Sequence, residues 1–331
     1  MLPCKIAIVG EAPGENEAIV GKPFIGASGK LLDGLLRIAG IDRSMCFIGN
    51  VFEARPPNND VSFFFAKKGV VKEEWKPEIA RLKRELEVAR PNIVIALGAT
   101  ALWALTNLEG ISKYRGTVVL SSLVTDRTLK ILPSFHPAYV MRQWQSRPTV
   151  GKDLIKARIE SLTPDLVRPA REIWIRPTLA DLAEFDRKHM NGAAEIAADI
   201  ENAYPSKMRQ ITCIGFAPSK EVALVVPFVD RTRKSWSYWD TAEEEAQALE
   251  WCLKWLTSPV TKVMQNGMFD TQWIERMWRT KVQGFTEDTM IMSHALQPEL
   301  EKGLGYLASV YTNEVSWKNM VSWKKEQKAG A

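Results

Sequence analysis

A single hydrophobic core rarely grows past about 250 residues, so a chain of 331 residues favours two domains and excludes a small module. With 46% hydrophobic, 25% charged and 9% aromatic residues the composition is that of an ordinary folded protein, and no stretch approaches the roughly 18 apolar residues of a membrane-spanning helix. The net charge of +5 is uneven: residues 1–170 hold 24 Lys and Arg against 17 Asp and Glu, the remainder 20 against 22, so the first half is the one suited to a polyanion such as nucleic acid.

Residues 6–9 form an apolar run too short for a signal sequence. Cys4, Cys46, Cys213 and Cys252 lie far apart without a CxxC pair, which predicts reduced thiols and a cytoplasmic protein. From there, strand-like and helical patterns alternate: strand 6–9, helix 30–39, strand 46–51, helix 77–89, strand 93–97. This order predicts an α/β domain with a parallel sheet and helices on both faces. In helix 77–89, Ile79, Leu82 and Leu86 make one stripe among charged neighbours. Strand 130–132 leads into Pro133-Ser134-Phe135-His136-Pro137, where two prolines predict a loop.

Pro164, Pro169 and Pro177 among charged residues mark a linker or a first strand, which divides the chain into domains 1–165 and 166–331. The second half reads as helix 179–189, strands 195–200, 211–217 and 221–227, a long helix 242–256 and strand 262–265. Strands precede the long helix, so a mixed sheet is expected. Residues 313–331 are polar, carry Trp317 and Trp323, and read as an unfinished or docking tail.

Directly after the first strand stands Gly10-Glu11-Ala12-Pro13-Gly14-Glu15-Asn16-Glu17, followed by Gly21-Lys22-Pro23-Phe24-Ile25-Gly26 and Gly29-Lys30-Leu31-Leu32. Neither GxxxxGK[ST] nor GxGxxG is satisfied, which argues against a nucleotide-hydrolysing or dinucleotide-binding loop. Further on come Asn50, Arg55-Pro56-Pro57, Leu97-Gly98-Ala99, Arg115-Gly116 and His136-Pro137-Ala138-Tyr139-Val140-Met141-Arg142. In order and in letter these segments resemble the family 4 uracil-DNA glycosylases over about 140 residues.

The resemblance implies a three-layer glycosylase fold and hydrolytic removal of a flipped uracil from DNA. It implies that Phe24 stacks on the base, that Asn50 reads its edge, that His136 donates to its oxygen and that Glu11 positions water. Gly10, Ala12, Pro13 and Gly14 would shape the pocket, and Met141 and Arg142 would sit at the duplex wedge. Each key side chain also has a plainer reading: Phe24 as core packing, Asn50 as a turn residue, His136 as a cap of backbone groups. The family holds an iron–sulfur cluster through four cysteines, but Ala54 precedes Arg55 and residues 71–75 contain no cysteine. No cofactor is therefore expected for the glycosylase.

In the second half, Asp199 and Glu201 lie two residues apart on a strand and so share one face. Asn266 to Asp270 reads NGMFD, and Asp288-Thr289 precedes an apolar segment with Leu304 and Leu307-Ala308. These motifs resemble the 3′-5′ exonuclease domain of family A, phage-type DNA polymerases. The resemblance implies an RNase H-like DEDD fold with a mixed sheet, with Asp199, Glu201 and Asp270 as ligands for Mg2+ or Mn2+. The family's third motif, Tyr-x-x-x-Asp, is missing, since Tyr306 and Tyr311 are each followed four positions on by valine. The expectation is a DNA repair or replication protein that excises uracil, fused to an exonuclease portion incomplete at its C-terminus. Its partner is DNA, with no membrane, and its place is the host cytoplasm if phage-encoded. The alternative is a non-catalytic DNA-binding part of a phage-type polymerase whose remaining elements come from a separate polymerase chain.

Overall fold

The computed structural model describes residues 5–202 and 210–314. Cys4, Trp317 and Trp323 lie outside the described residues. The chain divides into two compact units, the first taking in the chain through Arg168 and resuming at Glu299, the second spanning Pro169–Pro298.

The first unit begins with β1 (Ile6–Gly10), α1 (Glu15–Val20), α2 (Ala27–Ala39), β2 (Phe47–Asn50), the hairpin β3 (Phe65–Lys67) and β4 (Val70–Val71), and α3 (Lys76–Ala89). It continues with β5 (Ile93–Leu97), α4 (Ala99–Thr106), α5 (Ile111–Tyr114), β6 (Val119–Leu120), β7 (Lys130–Ser134), α6 (Pro137–Arg142) and α7 (Arg147–Glu160). Among the described residues the main sheet runs β2-β1-β5-β7-β6. It is parallel except for β6, a short antiparallel edge that its two residues gave the sequence no pattern to announce.

Every residue of β1 and β5 is buried, as strands covered on both faces must be. Ile6 and Ile8 pack with Leu32, Leu36, Val150 and Leu154 on one face. Ala7 and Val9 join Leu82, Leu86, Ala101 and Leu105 on the other. Each such leucine or isoleucine contributes about 1.5–3 kcal/mol on burial.

The loop expected at residues 133–137 is only partly a loop. β7 carries on through Pro133 and Ser134, paired with Ala96 and Leu97 of β5. On its other side β6 pairs only with Lys130 and Ile131, so Pro133 lies past that ladder. Pro137 then opens α6, because the first helical position needs no N–H and favours the fixed φ of proline.

The second unit contains β8 (Glu172–Trp174), α8 (Leu179–Phe185), β9 (Glu195–Asn202), β10 (Ile211–Ala217), β11 (Val222–Pro227), α9 (Ala242–Thr257), β12 (Thr261–Met264), α10 (Gly267–Trp278), β13 (Phe285–Asp288) and α11 (Thr289–Leu296). Among the described residues its sheet is ordered β13-β12-β9-β10-β11-β8 and is mixed, with β10 antiparallel to both neighbours. Along β9 exposure alternates: Ile196, Ala198 and Ile200 enter a core with Trp251, Cys252 and Trp255 of α9, while Asp199 and Glu201 take the opposite face.

The chain then returns. Helix α12 (Leu304–Tyr311) packs on α7 in the first unit, so residues from Glu299 do not belong to the second compact unit, unlike the division at residues 165/166 that the prolines suggested. A short apolar helix carries no mark in its own sequence of the core it will join.

Candidate active site

The C-terminal ends of β1, β2, β5 and β7 open on one cavity of about 520 Å³, the usual place for a ligand in an open parallel sheet. Glu11, Phe24, Asn50, His136 and Arg142 all line it, with Ala12 and Gly14 at its wall. Gly10 explains how closely they approach: a Cβ there would stand 2.5 Å from both Asn50 Oδ1 and the Phe24 ring. The Phe24 and His136 rings lie 5.6 Å apart, centroid to centroid. Pro13 is buried outside the lining, and Met141 is half exposed on α6.

Phe24 takes a left-handed backbone, φ +54°, which costs a bulky residue energy and needs outside support. Arg43 supplies it, donating to the carbonyls of Pro23 (2.9 Å) and Phe24 (3.0 Å) while pairing with Asp33 at 2.6 Å. Gly29 leaves room for the same carbonyl, since a Cβ there would be 1.9 Å from Phe24 O. Glu17, buried, accepts from the amides of Ile25 (3.1 Å) and Gly26 (2.8 Å) and so ties the first glycine loop to the segment bearing Phe24. Asn50 is held from outside by Arg81, whose Nη2 donates to the carbonyls of Asn50 and Val51 at 3.0 and 3.2 Å.

His136 is the N-cap of α6: its Nδ1 accepts from the Ala138 amide at 3.2 Å. His136 thus caps α6 and lines the cavity at once. With Nδ1 used as acceptor, the neutral ring carries its proton on Nε2 as a donor. Burial, then the nearby Arg142 charge, push the imidazole down to about 4, with Glu17 acting weakly the other way. The Glu11 carboxyl moves upward from its ordinary value, mainly through burial, against a 2.5 Å hydrogen bond from Thr100 that favours the charged form. Sequence reasoning missed Arg43, Arg81 and Thr100 as supports; Glu17 stood inside a quoted motif without a role.

In the second unit the acids expected at the metal are not drawn together in that way. Asp270 is buried and its Oδ1 accepts from the Ile200 amide at 3.1 Å, on the strand residue between Asp199 and Glu201. Burial raises its pKa, with the charges of Glu201 and Asp288 adding to the effect. Asp288 caps α11 and accepts from the amides of Asn266 and Gly267 at 3.1 and 2.8 Å, a structural acid. Among the described residues no group of three His, Cys, Asp or Glu side chains converges to hold a metal ion. Asp270 meets the strand that carries Asp199 and Glu201 through one carboxylate oxygen, Oδ1.

The residues do not fit an iron–sulfur cluster. Cys46 donates to the Asp42 carbonyl and Cys252 is sealed in the core of the second unit. Where the family pattern would place cysteines, Ala54, Val71 and Trp75 pack into an aromatic core instead. Phe52 stacks on Phe64 at 4.0 Å, and Phe64 meets Trp75 edge-on at 4.7 Å.

Residues 2–162 match the family model of the uracil DNA glycosylase superfamily. The type-4 uracil-DNA glycosylase of Thermotoga maritima is 36% identical over 47% of this chain and 78% of that protein; that of Archaeoglobus fulgidus is 35% identical over 46% and 74%. The chain belongs to the type-4 uracil-DNA glycosylases. This glycosylase chain also matches a 3′-5′ exonuclease family over residues 175–329. A DNA polymerase of Bacillus phage SP01 is 22% identical over 98% of the chain and 35% of its own length. Among solved structures, Trypanosoma brucei RNase D bound to GMP aligns with 48% of this chain and 47% of that one at 16% identity and a TM-score of 0.36. Among the described residues no helix of this glycosylase is long and apolar enough to cross a membrane.

Proposed function

We propose that the first unit excises uracil from DNA by hydrolysis. The observation that carries this reading is the convergence of Phe24, Asn50 and His136 around Gly10 in one cavity with the half-buried Glu11 carboxylate beside it. An extruded uracil fits a pocket with an aromatic plate, an amide that reads its edge and a neutral imidazole. The C1′–N1 bond breaks with its electron pair left on the base. His136 Nε2–H, a donor that needs no proton from solvent, stabilises the charge growing on the uracil oxygen. A preorganised donor of this kind contributes about 3 kcal/mol. Glu11, ionised, orients the water that adds to C1′ and takes its proton. Arg142, which lines the cavity, and Met141, beside it on α6, are assigned to the space left in the duplex.

The test is base release from a uracil-containing strand, read as strand scission after alkali. Wild-type protein is expected to release uracil without added metal, with Asn50→Ala and His136→Ala each down at least a hundredfold. Release unchanged in both variants would remove the assignment. For the second unit, the match to a 3′-5′ exonuclease family supports a 3′-5′ exonuclease fold with Asp199, Glu201 and Asp270 as its acids. Similarity to a phage polymerase along nearly the whole chain supports a role beside DNA synthesis, with a polymerase as partner. Co-purification with a polymerase from the source cells is the check.

A further inference from the structure

Helix α12, reached only after the chain has passed through the second unit, is bound into the first by contacts that lead to a single strand end. Leu307, Ala308 and Ser309 are buried there. Arg115 Nη2 donates to Ser309 Oγ, and the Tyr306 ring lies 4.9 Å from the Arg115 guanidinium. The Tyr306 hydroxyl meets Thr149 Oγ1 at 3.2 Å. Lys156 Nζ ties the pieces together, donating to the carbonyls of Gly116 (2.7 Å), Ser309 (2.9 Å) and Thr312 (2.5 Å).

The same guanidinium stands 3.5 Å from Asp153 Oδ1, with both side chains buried. Arg115 Nε and Nη1 have no hydrogen-bond partner among the described residues, so its place depends on Asp153 and Ser309. A buried pair of this kind is costly if either neighbour is lost. Asp153 Oδ2 in turn accepts from Ser134 Oγ at 2.7 Å. Ser134 is the last residue of β7, two positions before His136, and its carbonyl accepts from the Gly98 amide at 2.9 Å. Gly98 lies against the imidazole side chain, with room for a Cβ only 3.4 Å from His136 Cβ.

We propose that α12 is a positioning element of the excision site: Ser309 and Tyr306 hold Arg115 against Asp153, Asp153 holds Ser134, and Ser134 sets the end of β7 from which His136 enters the cavity. The proposal rests on the reading of His136 as the donor to uracil. The helix touches no substrate, and its effect reaches the cavity only through the β7 end.

The experiment uses the full chain with Ser309→Ala, which removes the acceptor for Arg115. The protein has three histidines, His136, His189 and His294, so selective 15N labelling resolves their imidazole signals. The expected result is a shifted His136 signal together with a single-turnover plateau rate lower by about tenfold at an unchanged half-saturating DNA concentration. Ser309→Thr, which keeps the hydroxyl, restores both. Tyr311→Ala, on the exposed side of the same helix, leaves both as in the wild type. A Ser309→Ala protein whose melting point falls while its His136 signal and plateau rate stay put overturns the proposal, leaving α12 as packing alone. If Ser309→Ala does not fold, Tyr306→Leu, which removes the ring that faces the Arg115 guanidinium, takes its place with the same two outcomes. If the His136 signal moves but wild-type protein frees no uracil, the link from α12 stands and the excision reading falls.

Discussion

Arg43 holds Phe24 by its backbone, not by its ring: one guanidinium nitrogen serves the Phe24 carbonyl at 3.0 Å and the Pro23 carbonyl at 2.9 Å, while Asp33 fixes the other side. This clamp is what offsets the left-handed φ of Phe24. Arg43→Ala is therefore expected to loosen the aromatic plate and lower kcat/KM for uracil release about tenfold, near 1.4 kcal/mol. Arg43→Lys, which reaches one carbonyl at a time, recovers part of it. Equal kinetics in Arg43→Ala and wild type would count against the clamp.

The depressed His136 pKa carries a stability signature. In the unfolded chain this side chain takes up a proton near pH 6.5, in the folded protein only near 4. Its contribution to stability is complete above about pH 6.5 and is lost as pH falls through about 4, at most about 3 kcal/mol. Asp153 acts in the opposite sense, since its folded pKa is pushed up to about 6 by burial, so its contribution is present below 3.8 and lost as pH rises through about 6. The two overlap and mask each other in the wild type. The difference between wild type and His136→Asn, which keeps a capping acceptor for Ala138, isolates the histidine: urea denaturation should show the wild type losing ground to the variant as pH drops from 7 to 4.

Glu11 must be ionised to orient water, and its carboxyl is shifted upward, so the acid limb of kcat/KM lies above the ordinary carboxylate value of 4.5. Thr100 donates the hydrogen bond that restrains this shift. Thr100→Val should move the limb to higher pH, with activity falling at pH 5 far more than at pH 8, and Glu11→Gln should abolish the limb along with most of the rate. A pH profile unmoved by Thr100→Val would place the limb on another group.

The β3–β4 region is built on an aromatic core. Phe64 is fully buried between Phe52 and Trp75. Phe64→Ala is expected to cost about 3–5 kcal/mol in urea or thermal unfolding. The purified glycosylase should show no visible absorption band, and its excision rate should withstand iron chelators and EDTA alike.

Much of this was legible in the sequence, for reasons that differ by element. β1 and β5 announced themselves as short apolar runs because strands covered on both faces have no polar side. β9 announced itself through alternation, which also put Asp199 and Glu201 on one face. The cavity residues were legible through the family resemblance: Gly10 and Asn50 end strands, His136 follows β7, and Phe24 lies between α1 and α2. Their supports were not. Arg43, Arg81 and Thr100 act through carbonyls and a carboxylate brought near only by folding, and a surface-type arginine gives no sign in a string of letters that it will clamp backbone. The backbone contact of Asp270 was likewise invisible: one of its oxygens accepts from an amide of the strand that carries Asp199 and Glu201. Pro137 was misjudged because a proline that ends most helices also begins them.

The return of the chain to its first unit has a consequence for how the protein is made. A ribosome delivers β7 and His136 early, but Ser309 arrives only after every residue of the intervening unit has been synthesised. Until then Arg115 lacks its Ser309 partner, so the Arg115 end of this contact chain is completed only with synthesis past the second unit.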